Sequence, residues 1–247
     1  MTTADDGAAL ARYCLALGDD ALIYSHRLTE WMTRLPELEE ETAVANIALD
    51  LLGQARMLLT RAGAILGRSE DDLAFFRAGH EFRNVRLAEH GDRDFAELVV
   101  RLLLFSVWRL ALLEKLAGAP DPGLAAIAAK GVNEVAYHRD YAARWVMRLG
   151  DGTALSHVKA QAALSALWPL TGELFRPDPD APFALDRAET DPVLDAVLSA
   201  ATLARPQTAQ LGEVSGRAGR DGVHTEAMGS ILAELQSVAR AHPGATW

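Results

Sequence analysis

The sequence predicts an all-α fold built on a four-helix bundle, and three observations carry that reading. Four runs of roughly 20 to 30 residues place their apolar side chains in steps of three and four, the spacing of one helix face. The joints between these runs are short to moderate and hold Pro, Gly or Asp. No stretch alternates apolar and polar residues for long enough to make a strand.

In the first run, Leu17, Ala21, Tyr24, Leu28, Trp31 and Leu35 repeat every three or four residues, as in a helix packed against other helices. Pro36 opens the second, and its first turn, "PELEEE", sets acids against the positive end of the helix dipole. That helix extends to about Gly67 on a stripe of Val44, Ala48, Leu51, Ala55, Leu58, Ala62 and Ile65. Ala45, Leu49, Leu52 and Leu59 widen the stripe, so burial on more than one side is expected. The third run, "DRDFAELVVRLLLFSVWRLALLEKLAG", has Asp92 or Asp94 as its cap, and the fourth spans Pro122 to Gly150. Two shorter helices follow near 155–175 and 191–204, with a final amphipathic one through Met228, Ile231, Leu232, Leu235 and Val238. Residues 1–14 read as a poorly ordered N-terminal segment and 206–223 as a surface loop, in a single domain covering 1–247.

Composition removes several functions. A formal net charge of −10 offers no basic face to a nucleic-acid backbone or an anionic membrane. The longest apolar stretch, "LVVRLLLFSVW", is interrupted by an arginine and is too short to span a bilayer. A lone cysteine, Cys14, cannot form an internal disulfide and reads as a core thiol, and the acidic N-terminus lacks signal-peptide character. The expected location is the cytoplasm.

The informative residues are polar ones on apolar helices. Asn46 and Asp50 lie one turn apart on the second helix. A bundle that binds two metal ions takes a single Glu from each of two helices and Glu-x-x-His from each of the other two, because i and i+3 share a face. The second helix offers Asp50-Leu-Leu-Gly53, with glycine where imidazole belongs. The fourth offers Glu134-Val-Ala-Tyr137, with a phenol in that place and His138 one residue late, about 100° further round the helix. His26 and Glu30 on the first helix, and Glu97 beside Arg101 or Glu114 on the third, are the remaining candidates; Arg101 could supply the charge that a cation otherwise would. No catalytic, cofactor-binding or metal-ligating residue is assigned. Asn46, Asp50, Glu134, Tyr137 and His138 stand instead as a vestigial polar centre. Its plainer readings are a solvent-facing gap between helices, or a buried hydrogen-bonded network. His157 and His224 read as surface or capping residues, and the basic side chains at 77–93 and 217–220 as solvated surface.

Several stretches also match a known family. "LGDDALIYSHRLTEW", "PELEEETAVANIALDLLGQAR", "LAAIAAKGVNEVAYHRDYAARWVMRLGDGT", "LWPLTGELF" and "GRDGVHTEAMGSILAELQSVARAHPGATW" together resemble the PaaC family, the C-type chains of ring-1,2-phenylacetyl-CoA epoxidases. The similarity runs in order from about Leu15 to Trp247. The resemblance implies a ferritin-like four-helix bundle with additional C-terminal helices, paired with a related A subunit (PaaA-like) that carries a di-iron site. A small B subunit and a reductase complete that complex, which inserts one oxygen atom of O2 into the aromatic ring of phenylacetyl-CoA. It further implies that this chain is structural, holds no cofactor, and leaves the substrate mainly to its partner. The polar centre would then be what remains of a metal site. Three alternatives remain: an active di-iron or di-manganese oxygenase in its own right, a ferritin-like iron store, and a scaffold unrelated to CoA substrates.

Overall fold

A computed structural model describes residues 4–207 and 217–245. The fold is all-α, as expected of a ferritin-like chain, with four long helices and additional shorter helices towards the C-terminus. No strand occurs among the described residues, and no helix among them is long and apolar enough to cross a membrane. They cluster into two compact units, one drawn from 1–91, 179–181 and 213–247, the other from 92–178 and 182–212.

In the first unit, α1 (Ala4–Thr29) and α2 (Leu38–Leu66) form an antiparallel hairpin. Their pairing is fixed by close approaches: the Ser25 hydroxyl donates to the Ala48 carbonyl at 2.6 Å, and Gly18 sits against Leu58 and Leu59. A methyl at Gly18 would press on Leu59, so the glycine sets how closely the two backbones approach. The residues predicted for the first core stripe, Leu17 through Leu35, are all buried, although Trp31 and Leu35 lie in the turn that follows the helix. Helix α1 already begins at Ala4, so most of the segment expected to be poorly ordered is helical, while residues 1–3 lie outside the described residues. Ala11 and Cys14 continue its apolar face, and burying them fixes the first turns. Gly67, at φ 67°, ends α2 in the left-handed conformation that suits glycine.

Helix α3 (Glu70–Phe75) is tied back to α2. Glu70 accepts from Arg56 and from the Thr60 hydroxyl. Partial burial alone would raise its pKa, but these hydrogen bonds and the Arg56 charge outweigh it and hold the carboxyl below its usual value. A short 3-10 turn at Gly79–Glu81 and α4 (Arg86–Glu89) follow.

The second unit is built on α5 (Phe95–Leu116) and α6 (Pro122–Gly150), with α7 (Ala154–Leu167) and α8 (Arg187–Ala200) packed on them. Asp94 caps α5 by accepting from the Glu97 N–H at 3.1 Å, and Asp121 caps α6 by accepting from the Leu124 N–H at 2.8 Å. The antiparallel pair is held at one end by Phe95 against Trp145, ring centroids 4.9 Å apart. Of the 22 residues in α5, 18 are buried, the most completely enclosed helix of the unit. Gly150 packs directly on Ala201, where any side chain would collide with its carbonyl.

Back in the first unit, α9 (Ala227–Leu235) buries Met228, Ile231 and Leu232, and the short α10 (Ser237–Ala241) follows it; Val238 is exposed. The expected loop at 206–223 falls partly on 208–216, outside the described residues. Its far end is not free surface: a 3-10 turn at Gly219–Asp221 follows the buried Ala218.

Candidate functional site

On α2 the polar stripe is accessible in this chain. Asn46 is exposed, Asp50 is half-buried, and Leu49 beside them is 61% exposed, with Leu52 and Leu38 also open. The core stripe Val44, Ala48, Leu51, Ala55 and Leu58 is buried; of the residues expected to widen it, Leu59 is buried and Ala45 half-buried, but Leu49 and Leu52 are exposed. At Gly53, three residues past Asp50, an added methyl would meet nothing within 4 Å. The glycine in the imidazole slot is therefore not required by packing inside the described chain.

On α6 the three predicted residues separate. His138 is buried at 1% exposure, whereas Tyr137 is 49% exposed, because adjacent helix residues project about 100° apart. Tyr137 lies beside Tyr141, centroids 6.4 Å apart. Glu134 forms an i,i+4 ion pair with Lys130 at 2.9 Å. A buried hydrogen-bonded core that includes Asn46 and Tyr137 is thus not what the chain contains: both side chains face outward. Among the described residues, no three His, Cys, Asp or Glu side chains gather where they could hold a metal ion. Gly53 and Tyr137 stand where the two imidazoles would be, so the residues present do not fit a di-iron centre.

Arg101 sits in a buried ion pair that its helix spacing does not reveal. It pairs with Asp92 through two hydrogen bonds, at 2.8 and 2.5 Å, with both side chains fully buried. Glu97 accepts from the Arg93 guanidinium and from the Arg93 N–H, both at 2.7 Å. The buried guanidinium therefore anchors the 92–94 segment that starts α5. On α1, Arg27 takes Glu30 at 2.5 Å, and His26 points to Glu234 at 3.7 Å.

The densest polar cluster lies in the first unit, and sequence reasoning missed it. Asp19 and Asp20, adjacent on α1, are both fully buried. Asp19 receives the Arg77 guanidinium and the Arg83 N–H. Asp20 receives Arg220 through both guanidinium ends, at 2.9 and 2.7 Å, and the Val85 N–H at 2.8 Å. Arg220 also donates to the carbonyls of Ala16 and Arg83. One turn of α4 brings in Glu89, fully buried, which accepts from the Asn84 amide, the Thr225 N–H and the Thr225 hydroxyl, and meets His224 at 2.6 Å. Every carboxylate in this clasp is saturated with donors, which is what lets charges sit in a core. Arg77 and Arg220 are therefore structural residues rather than solvated surface, and His224 is an interior residue rather than a helix cap.

The signal was present in outline. Two consecutive acids in the apolar run "YCLALGDDALIYSH" cannot both face solvent on a packed helix, and their partners lie in the two segments richest in Arg and Gly. The 58- and 200-residue separations hid the pairing.

Comparison with known proteins places a chain of this geometry. All of it, residues 1–247, matches the phenylacetic acid catabolic protein family, and the chain belongs to that family. It is 40% identical over 249 residues to the C chain of the 1,2-phenylacetyl-CoA epoxidase of Escherichia coli (strain K12), a match covering 96% of this chain and 99% of the relative.

Proposed function

We propose that this chain is a non-catalytic, structural subunit of a phenylacetyl-CoA epoxidase, the complex that uses O2 to epoxidise the aromatic ring of phenylacetyl-CoA in aerobic phenylacetate catabolism. The observation that carries the proposal is the match, along nearly the full length of both proteins, to the C chain of such an epoxidase. The residues at the metal slots support the non-catalytic role: Gly53 follows Asp50 and Tyr137 follows Glu134, each where the template needs imidazole. In this reading Asn46, Asp50, Glu134, Tyr137 and His138 mark a metal site that was lost, and the di-iron centre belongs to a partner A subunit. The B subunit and a reductase complete the assembly in the cytoplasm, and the partner binds most of the substrate.

The open face of α2 is the part of this chain that the reading assigns to the A subunit. It offers Leu38, Leu49 and Leu52 with Asn46 between them, a mixture of apolar and uncharged polar side chains suited to a stable subunit interface. The test is reconstitution. Phenylacetyl-CoA turnover is measured with A subunit, B subunit and reductase, with and without this chain. The reading predicts turnover that requires this chain, while this chain with B subunit and reductase alone gives none. Turnover by this chain without the A subunit would overturn it.

A further inference from the structure

The exposed side of α2 carries a second repeat, separate from the one it buries. Leu38, Thr42, Ala45, Leu49, Leu52 and Arg56 follow one another in steps of four and three, the spacing of a helix that packs along another helix. None of the six is buried, and Leu38 and Leu49 are 73% and 61% exposed. The run extends over about 27 Å of helix. The Thr42 hydroxyl already donates to the Leu38 carbonyl at 2.8 Å, so covering it strands no donor. An added methyl at Gly53 meets nothing within 4 Å, which leaves room there for a neighbour.

The repeat is also symmetric. Reversed about Ile47, Leu38 comes level with Arg56, Thr42 with Leu52, and Ala45 with Leu49, so two leucines meet smaller side chains. Its ends carry opposite charge. Glu37, Glu39 and Glu41 flank Leu38, and Arg56 closes the other end. Arg56 holds Glu70 with Nε and Nη2, which leaves Nη1 to reach an acid of a neighbour. Two parallel copies would set acids on acids and arginine on arginine. Two antiparallel copies set each end against its complement.

We propose that the free chain pairs with a second copy of itself along α2, antiparallel about a two-fold axis level with Ile47. The same face serves both copies, as a two-fold contact requires. Leu49 and Leu52 of each copy cover Ala45 and Thr42 of the other, and Arg56 reaches the acids around Leu38. The two Asn46 amides meet beside the axis, where one donates and the other accepts. Asp50, half-buried, stays at the rim. A single helix pair falls below the area of about 1,200 Å2 that stable interfaces bury, so the pairing is weak and depends on concentration. The function proposed above gives this face to the A subunit, so assembly of the complex exchanges the second copy for that partner; only this consequence rests on that reading.

Two measurements on the full chain alone test this. Sedimentation velocity at about 0.15 M salt, which screens the net charge of −10, should show the mass rising from 26.6 kDa towards twice that value between about 1 μM and about 1 mM chain. The L49D/L52D chain should stay monomeric. Cross-linking of single introduced cysteines with a short bis-maleimide reads the orientation, since Cys14 is buried. N46C, beside the axis, should link chain to chain, whereas L38C, about 27 Å along the helix from its own copy, should not. A monomer at every concentration, a dimer that L49D/L52D leaves intact, or N46C linking no more than L38C overturns the proposal. The cross-linking sites are exposed, so they decide the matter even if L49D/L52D fails to fold. No A subunit is present in either measurement, so a negative result leaves the epoxidase reading standing.

Discussion

At the scale of single residues, this chain concentrates its specificity in a few buried charges. Asp20 is the clearest case, because it meets Arg220 with both oxygens and caps the Val85 N–H as well. Replacing it by asparagine leaves a guanidinium in the interior without its counter-charge, a change that typically costs about 3–5 kcal/mol. Denaturant unfolding of D20N should show a loss of that order, and the D20N/R220M pair should recover a large part of it. A loss below about 1 kcal/mol would mean that the clasp is solvated in solution. Buried charges are also where the sequence is hardest to read. Hydrophobic spacing locates a carboxylate on a helix face but says nothing about a partner 200 residues away. For the same reason helix spacing does not reveal Asp92, the partner that a segment before the helix supplies to Arg101. Asn46 shows the opposite error. Its apolar neighbours suggest burial, yet apolar neighbours on a helix can equally form an exposed stripe.

At the scale of elements, periodicity is a sound guide wherever a helix has one packed face. The fourth predicted helix, Pro122 to Gly150, matches α6 at both ends, because Asp121 and Pro122 mark its start and Gly150 packs too closely on Ala201 for the chain to continue unchanged. The second predicted helix matches α2 to within a turn, since acids and Gly67 bracket it. The short α3 and α4 were not legible: six and four residues are too few to show a period, and they are held by Ser69 capping and by the polar clasp. The open stripe of α2 carries the prediction at this scale. Leu49→Asp with Leu52→Asp removes little buried apolar surface, so the chain alone should keep its stability to within about 1 kcal/mol. Co-purification with an A subunit should be lost. Unchanged co-purification would remove α2 from the interface, and unfolding of the double variant would show that these leucines are part of the core.

At the scale of the whole molecule, composition and helix spacing were enough for the all-α class, and the family assignment rests on motifs spread along the chain. "LGDD", "GRDGVHTE" and the arginines between them turn out to be the parts of one clasp, which gives a physical reason for those letters to travel together. The motif "ANIALDLLGQAR" has a different character: it holds the core of the α1/α2 hairpin on one side and the open stripe on the other. What composition could not supply is the division of labour. A bundle with Asp50 and Glu134 in place but Gly53 and Tyr137 at the imidazole slots is close to a metal site in pattern and far from one in donors. Whether this chain supports the epoxidase without holding its metal is decided by its metal content. Iron and manganese are measured on the purified chain, then again after anaerobic iron loading and desalting. A structural subunit should hold well below one ion per chain in both samples; about two tightly bound ions per chain, the complement of a di-metal bundle, would contradict that role.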